Sequence, residues 1–192
     1  RVLKCPLPAS TLITRREYQQ LFDTAGDAVA AIAHARLVTN GTMHHSRNNQ
    51  PVIKDGVVGI HNGIIVNDTL LWGRFPELKK VAEVDTEVAL AILRKYLNEG
   101  EDVVTAVRRL YSGIEGTATI ATILEEYGVL VLATNNGSLY FSESANDFTF
   151  VSEENFLSKF QKTIKGTYAK GQKIKHVESN SGIIIDLGTL QT

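Results

Sequence analysis

Four short segments set chemically capable side chains among apolar neighbours. They are His34 to Gly41, which contains Arg36 and Thr39; Asn48-Asn49-Gln50-Pro51; His61-Asn62-Gly63; and Asp85-Thr86-Glu87. The Arg36 guanidinium has five donors, and inside an apolar run they must meet an anion or carbonyls. A bidentate clamp on a ligand carboxylate would satisfy them, and so would a structural salt bridge. Asn62-Gly63 has the composition of a two-residue hairpin turn, but an Asn amide beside a Gly N–H can also stabilise a developing oxyanion, as acyl transfer requires. Asp85 stands where a helix N-cap is expected. His34, His44, His45 and His61 show no HxxxH or carboxylate-histidine spacing, so no metal site is expected. The single Cys5 can form neither an intrachain disulfide nor a multi-cysteine zinc site, and it reads as a free structural thiol.

The elements that must position these groups follow from periodicity. Ser10 to Ala25 reads as a helix stopped by Gly26, and Ala28 to Val38 as a strand. The polar stretch from Gly41 to Asp55 reads as a loop ending in an Asp-Gly turn. Val57 to Ile60 and Ile64 to Val66 then form a hairpin-like pair around Asn62-Gly63. Asp68 to Leu71 opens a short helical segment. Asp85 stands at the N-cap position of the clearest helix, in which Val88, Ala91, Ile92 and Tyr96 keep helical spacing, and a further helix covers Asp102 to Tyr111. Thr117 to Leu124, Gly128 to Ala133 and Leu139 to Ser142 read as a meander, and Phe148 to Ser152 continues the sheet. A helical turn over Glu154 to Phe160 precedes a closing hairpin of Lys173 to Val177 with Gly182 to Leu187. This order has no regular βαβ alternation, so an α+β layered fold is expected, as one domain over residues 1–192.

Composition narrows the function. A chain of 192 residues with 43% hydrophobic and 21% charged residues builds an ordinary globular core. A net charge of -1 leaves no footprint for nucleic acid or an anionic membrane surface. The longest apolar runs, such as Val129 to Ala133, fall far short of the ~20 residues that span a bilayer. One cysteine suits a reducing compartment, the cytoplasm by default.

Together and in this order, the four segments resemble the glutamine-hydrolysing domain of class II glutamine amidotransferases, within the N-terminal nucleophile hydrolases. The matching residues are His34, Arg36, Thr39 and Gly41; Asn48, Gln50 and Pro51; His61, Asn62, Gly63, Ile65 and Asn67; and Asp85, Thr86 and Glu87. Gly116-Thr117-Ala118 and Phe150-Val151-Ser152-Glu153 fit later parts of the pattern, and the match runs from about Asp27 to Leu187. The resemblance implies a four-layer αββα sandwich with two antiparallel sheets between helical layers. It implies that Arg36 and Thr39 hold the α-carboxylate of L-glutamine, Asp85 its α-ammonium, and Asn62 with the Gly63 N–H the oxyanion. It calls for no cofactor, and for an ammonia-accepting synthase domain or subunit as partner.

One departure matters. The family's nucleophile is an N-terminal Cys followed by Gly-Ile, whose own amine is the general base. Cys5 has four residues before it and Pro6 after it, so its nitrogen is acylated and cannot serve as that base. Leu37 and Asn40 also replace residues common in the family. The expectation is a glutaminase domain whose nucleophilic strand lies upstream of Arg1. The alternative is a non-catalytic amino-acid-binding or partner subunit. Loss of a strand would leave a sheet edge that invites a homo-oligomer.

Overall fold

A computed structural model describes residues 1–26, 28–35, 42, 45–163 and 172–192. The chain divides into two compact units, Arg1–His61 with Ile65–Glu115, and Asn62–Ile64 with Gly116–Thr192.

In the first unit, the helix expected over residues 10 to 25 is two pieces, α1 (Ala9–Leu12) and α2 (Arg16–Asp23). The Thr14 hydroxyl donates back to the Thr11 carbonyl at 2.8 Å, and Arg15 is extended, so the first piece cannot propagate into the second. Residues 28–35 hold no strand, and the rest of that expected strand lies outside the described residues. Strands β1 (Val52–Lys54) and β2 (Val57–Ile65) pair antiparallel across Asp55-Gly56, with Lys54 opposite Val57. Both turn residues have positive φ, 48° and 84°, the geometry that selects Asp-Gly for a tight hairpin.

The second hairpin expected here does not form. β2 runs unbroken through Asn62-Gly63, because only Gly63 adopts a positive φ, at 134°, whereas a two-residue turn of this composition needs both. Helices α3 (Asp68–Arg74), α4 (Asp85–Asn98) and α5 (Val103–Gly113) complete the unit, with α4 against β1, α3 and α5. α4 is buried almost all round, from Asp85 through Leu97, which makes it the core helix of this unit. α5 is amphipathic, buries Ala106 and Leu110, and is capped by Asp102, which accepts the Thr105 N–H at 3.0 Å.

In the second unit, β3 (Gly116–Leu124) and β4 (Val129–Thr134) form an antiparallel hairpin closed by a 3₁₀ turn and by Gly128 at φ 64°. β8 (Ser181–Asp186) pairs with the other edge of β4. The expected three-strand meander stops there. β5 (Tyr140–Glu143) joins β6 (Phe148–Val151) and β7 (Lys175–His176) in a separate sheet of order β6-β5-β7. The chain is turned off β4 by a polar knot, in which the Thr119 and Thr134 hydroxyls bond each other at 2.7 Å and both reach Asn136 Oδ1 at 2.9 Å, followed by Gly137 at φ 76°. The closing hairpin is likewise replaced by β7 and β8 in different sheets, with Asn180 at φ 58° between them. α6 (Glu154–Thr163) packs on β5 and β6 through the fully buried Leu157.

The larger antiparallel sheet has the order β1-β2-β3-β4-β8. The fold is therefore α+β, with five- and three-stranded antiparallel sheets and helices packed on them within each unit.

Candidate functional site

Asp85 is the first residue of α4 and not its cap, since Val84 occupies the cap position in extended geometry. Its carboxylate is nonetheless fully oriented. Oδ2 accepts the Ile65 N–H at 2.8 Å, and Oδ1 accepts the Thr86 N–H at 2.9 Å. His61 Nδ1 lies 3.7 Å from Oδ1 and 3.3 Å from the Thr86 hydroxyl, with the His61 side chain almost wholly buried. Burial pushes the Asp85 carboxyl up, but the hydrogen bond and charge of His61, with the N–H groups of Ile65 and Thr86, outweigh it and hold the group below its ordinary value. The start of α4 also favours a negative charge. The result is a fixed carboxylate anion with acceptor capacity left over, since its two oxygens offer about four lone-pair positions.

The surroundings explain why these groups stay in place. The Gln50 amide grips the His61 backbone twice, accepting its N–H at 2.6 Å and donating to its carbonyl at 2.9 Å. Glu87 accepts the N–H groups of Val81 at 3.0 Å and Ala82 at 2.7 Å, which fixes the chain entering α4. Lys54 Nζ meets Glu87 Oε1 at 3.3 Å and donates to the Lys79 carbonyl at 2.5 Å. Buried Asn67 accepts the Glu115 N–H at 3.0 Å and donates to the Gly113 carbonyl at 2.9 Å, so it is a structural tie.

The structure thus brings together His61, the Ile65 backbone, Asp85 and Thr86. Asn62 and Gly63 lie on β2 between His61 and Ile65, and both are exposed. Arg36 and Thr39 lie outside the described residues, as does His44. Cys5 is a half-buried free thiol. Among the described residues, no group of three or more His, Cys, Asp or Glu side chains is arranged to hold a metal ion. No helix among them is long and apolar enough to cross a membrane. Sequence reading gave Gln50 and Glu87 no role beyond their place in a pattern, and it missed Lys54 altogether. The one available signal for Lys54 was its place two residues after Val52, on the inward face of β1.

The α+β fold of antiparallel sheets and helices, with a fixed carboxylate in the first turn of its core helix, can be compared with known proteins. No family model matches the chain. The glutamine–fructose-6-phosphate aminotransferase (isomerizing) of Rhizobium leguminosarum bv. viciae is 31% identical over 128 residues, 66% of this chain and 20% of that protein. The enzyme of the same name from Francisella tularensis is 26% identical over 164 residues, 81% of this chain and 25% of its own length. The chain therefore spans about a fifth to a quarter of these relatives. In fold it is similar to the glutamine phosphoribosylpyrophosphate amidotransferase of B. subtilis, with a TM-score of 0.61 and 17% identity over 82% of this chain and 33% of that one. The chain belongs to the glutaminase-domain family of the class II, N-terminal-nucleophile-type glutamine amidotransferases.

Proposed function

We propose that residues 1–192 form a domain that binds L-glutamine and hydrolyses its side-chain amide to glutamate and ammonia through a cysteinyl thioester. The observation that carries this reading is the Asp85 carboxylate, kept ionised and aimed by the N–H groups of Ile65 and Thr86. A carboxylate so held takes an α-ammonium group without reorganising. Arg36 and Thr39 take the α-carboxylate, which leaves the side-chain amide as the reactive end. The Asn62 amide and the Gly63 N–H stabilise the tetrahedral oxyanion. Cys5 has an acylated nitrogen, so it is not assigned as the nucleophile, and this reading places the protein in the reducing cytoplasm. The relatives' names support an acceptor for the ammonia on a synthase domain or subunit, and self-association into a homo-oligomer is compatible with this reading. The acylated nitrogen of Cys5, where the family has an N-terminal cysteine, favours one second reading, a subunit that binds the amino acid without cleaving it.

Calorimetry with L-glutamine, and with the analogue lacking only the α-amine, tests the grip. Glutamine binding lost with the amine supports it, and equal binding of the two overturns the Asp85 assignment. Ammonia release on adding a peptide segment that carries an N-terminal Cys-Gly-Ile separates the enzyme from the binder.

A further inference from the structure

Helices α3, α4 and α5 of the first unit leave a cavity of about 180 Å³ between them. Its floor is apolar, made by the buried side chains of Leu71 on α3, Ile92 on α4 and Leu110 on α5. Two rings form a wall, Phe75 and Tyr96, edge to face with centroids 6.1 Å apart. The Arg109 guanidinium closes that side, 4.1 Å over the Tyr96 ring and tied to Glu101 and, at 3.6 Å, to Glu99. Ile92 and Tyr96 lie about 10 and 16 Å along α4 from Asp85, at 1.5 Å of rise per residue, so the cavity is separate from the carboxylate described above.

Two residues at the rim set its chemistry. Gly113 ends α5 without a positive φ, so the backbone does not require glycine there, and glycine weakens a helix. A Cβ at that position would meet Leu71 Cδ2 at 3.8 Å and Arg74 Nη1 at 3.9 Å, which is ordinary contact. The missing side chain is therefore part of what keeps the space open. The same distances show that the Arg74 guanidinium, in the last turn of α3, folds across toward α5. Among the described residues it has no hydrogen-bond or ion-pair partner. The acceptors at the end of α5 are already occupied. Ser112 Oγ donates to the Arg109 carbonyl at 2.7 Å, the Ile114 N–H to the Tyr111 carbonyl at 3.3 Å, and Asn67 Nδ2 to the Gly113 carbonyl at 2.9 Å. The neighbouring carboxylates are committed as well, Glu99 and Glu101 to Arg109 and Glu77 to Lys95. An exposed arginine alone would need no explanation. This one stands with its donors unspent at the mouth of an apolar cavity.

We propose that this cavity is a binding site for a small carboxylate with a compact apolar body, the carboxylate on Arg74 and the body on Leu71, Ile92 and Leu110. The inference is independent of the function proposed above. An apolar cavity of about 150 Å³ accommodates a benzene ring, so the space here suits a body of that size. The guanidinium fork matches a carboxylate with two parallel hydrogen bonds. A bare inorganic anion would leave the apolar floor uncovered, and a neutral hydrocarbon would leave Arg74 unmatched.

The test uses benzoate as the probe on the full chain, with benzamide and acetate as comparators that remove the charge and the ring in turn. Methyl NMR follows Leu71, Ile92 and Leu110, and the titration gives dissociation constants. Benzoate shifts all three residues and binds about tenfold more tightly than either comparator. Arg74→Gln weakens benzoate about tenfold, the scale of a charge-assisted pair, and leaves benzamide unchanged. Gly113→Leu, which fills the cavity from its edge, weakens both ring compounds. Arg74→Gln alters only an exposed side chain, so it decides the matter even where Gly113→Leu lowers the melting temperature. Equal affinity for benzoate and benzamide, or a benzoate affinity that Arg74→Gln does not change, overturns the role of Arg74 and with it the proposal. Benzoate shifts confined to residues outside the cavity, or no binding at all, refute the site itself.

Discussion

Lys54 Nζ lies 3.3 Å from Glu87 Oε1, and both side chains are almost entirely withdrawn from water, at 8% and 3% exposure. The pair connects β1 to the first turn of α4, and Glu87 extends it by accepting the Val81 and Ala82 N–H groups. Removing one member strands the other in a place where an unpaired charge is costly. Glu87→Gln should therefore destabilise the fold by about 3 to 5 kcal/mol, as expected for breaking a buried pair. Lys54→Met should cost less, because Glu87 keeps its two backbone donors. In urea unfolding the double variant should lose less than the two single losses added together. Additivity within about 0.5 kcal/mol would mean that the two charges do not interact.

Asp85 gives the fold a pH dependence whose sign follows from its lowered pKa. A carboxyl depressed on folding binds fewer protons in the native than in the unfolded chain, so its contribution is present above the unfolded value, about 3.9, and is lost as pH falls through the native value. Asp85→Asn cannot titrate. The stability gap between the original protein and Asp85→Asn should stay level from neutral pH to about 5, then narrow as acid protonates Asp85. Urea midpoints collected across that range check it. A gap that widens toward acid would reverse the assignment.

Much of this was legible in the sequence, for physical reasons that differ from residue to residue. The α4 helix declared itself because Val88, Ala91, Ile92 and Tyr96, all buried, recur at helical spacing. The Asp55-Gly56 turn did so because two consecutive positive φ angles restrict composition. Asn62-Gly63 has the same composition for another reason, a single glycine conformation inside a strand, and local sequence does not separate the two cases. The partition of β5 from β4, and of β7 from β8, depends on long-range pairing and on the Thr119, Thr134 and Asn136 knot, which no window around one strand contains. At the site, Asp85 was marked by its place before a helix. Its partners Ile65 and Thr86 act through backbone N–H groups, which carry no side-chain signature. Arg36 and Thr39, assigned from the resemblance, lie outside the described residues.

Gln50 supports His61 as a neighbouring strand would, with one donor and one acceptor against the His61 backbone. Gln50→Glu replaces the donor by an oxygen that faces the His61 carbonyl, and it should destabilise the fold by about 1 to 3 kcal/mol, the cost of a part-buried group left unsatisfied. Below the new carboxyl's pKa the added proton restores a donor, so the deficit relative to the original protein should shrink in acid. Melting temperatures of both proteins at pH 7 and pH 4 measure it. A deficit that does not depend on pH would mean that this amide contact contributes little.

Asn62 and Gly63 should separate rate from stability in opposite ways. The Asn62 side chain is exposed on β2, so Asn62→Ala should leave unfolding free energy within about 0.5 kcal/mol, as for surface changes away from special features. An oxyanion donor acts where charge develops and contributes little to the ground-state amide. In an assembly that hydrolyses glutamine, Asn62→Ala should therefore lower kcat by about 10² to 10³ with KM nearly unchanged. Gly63 differs because its φ of 134° is one that residues with a Cβ avoid. Gly63→Ala should destabilise the fold by about 1 to 3 kcal/mol, the cost of holding such a conformation, and should also lower kcat, because relaxing the strain turns the N–H away from the oxyanion. Steady-state kinetics and urea unfolding on the same two variants decide the matter. A fall in glutamine affinity matching the fall in kcat for Asn62→Ala would assign that amide to ground-state binding, and a fully stable Gly63→Ala would show that β2 accepts a side chain at that turn of the backbone.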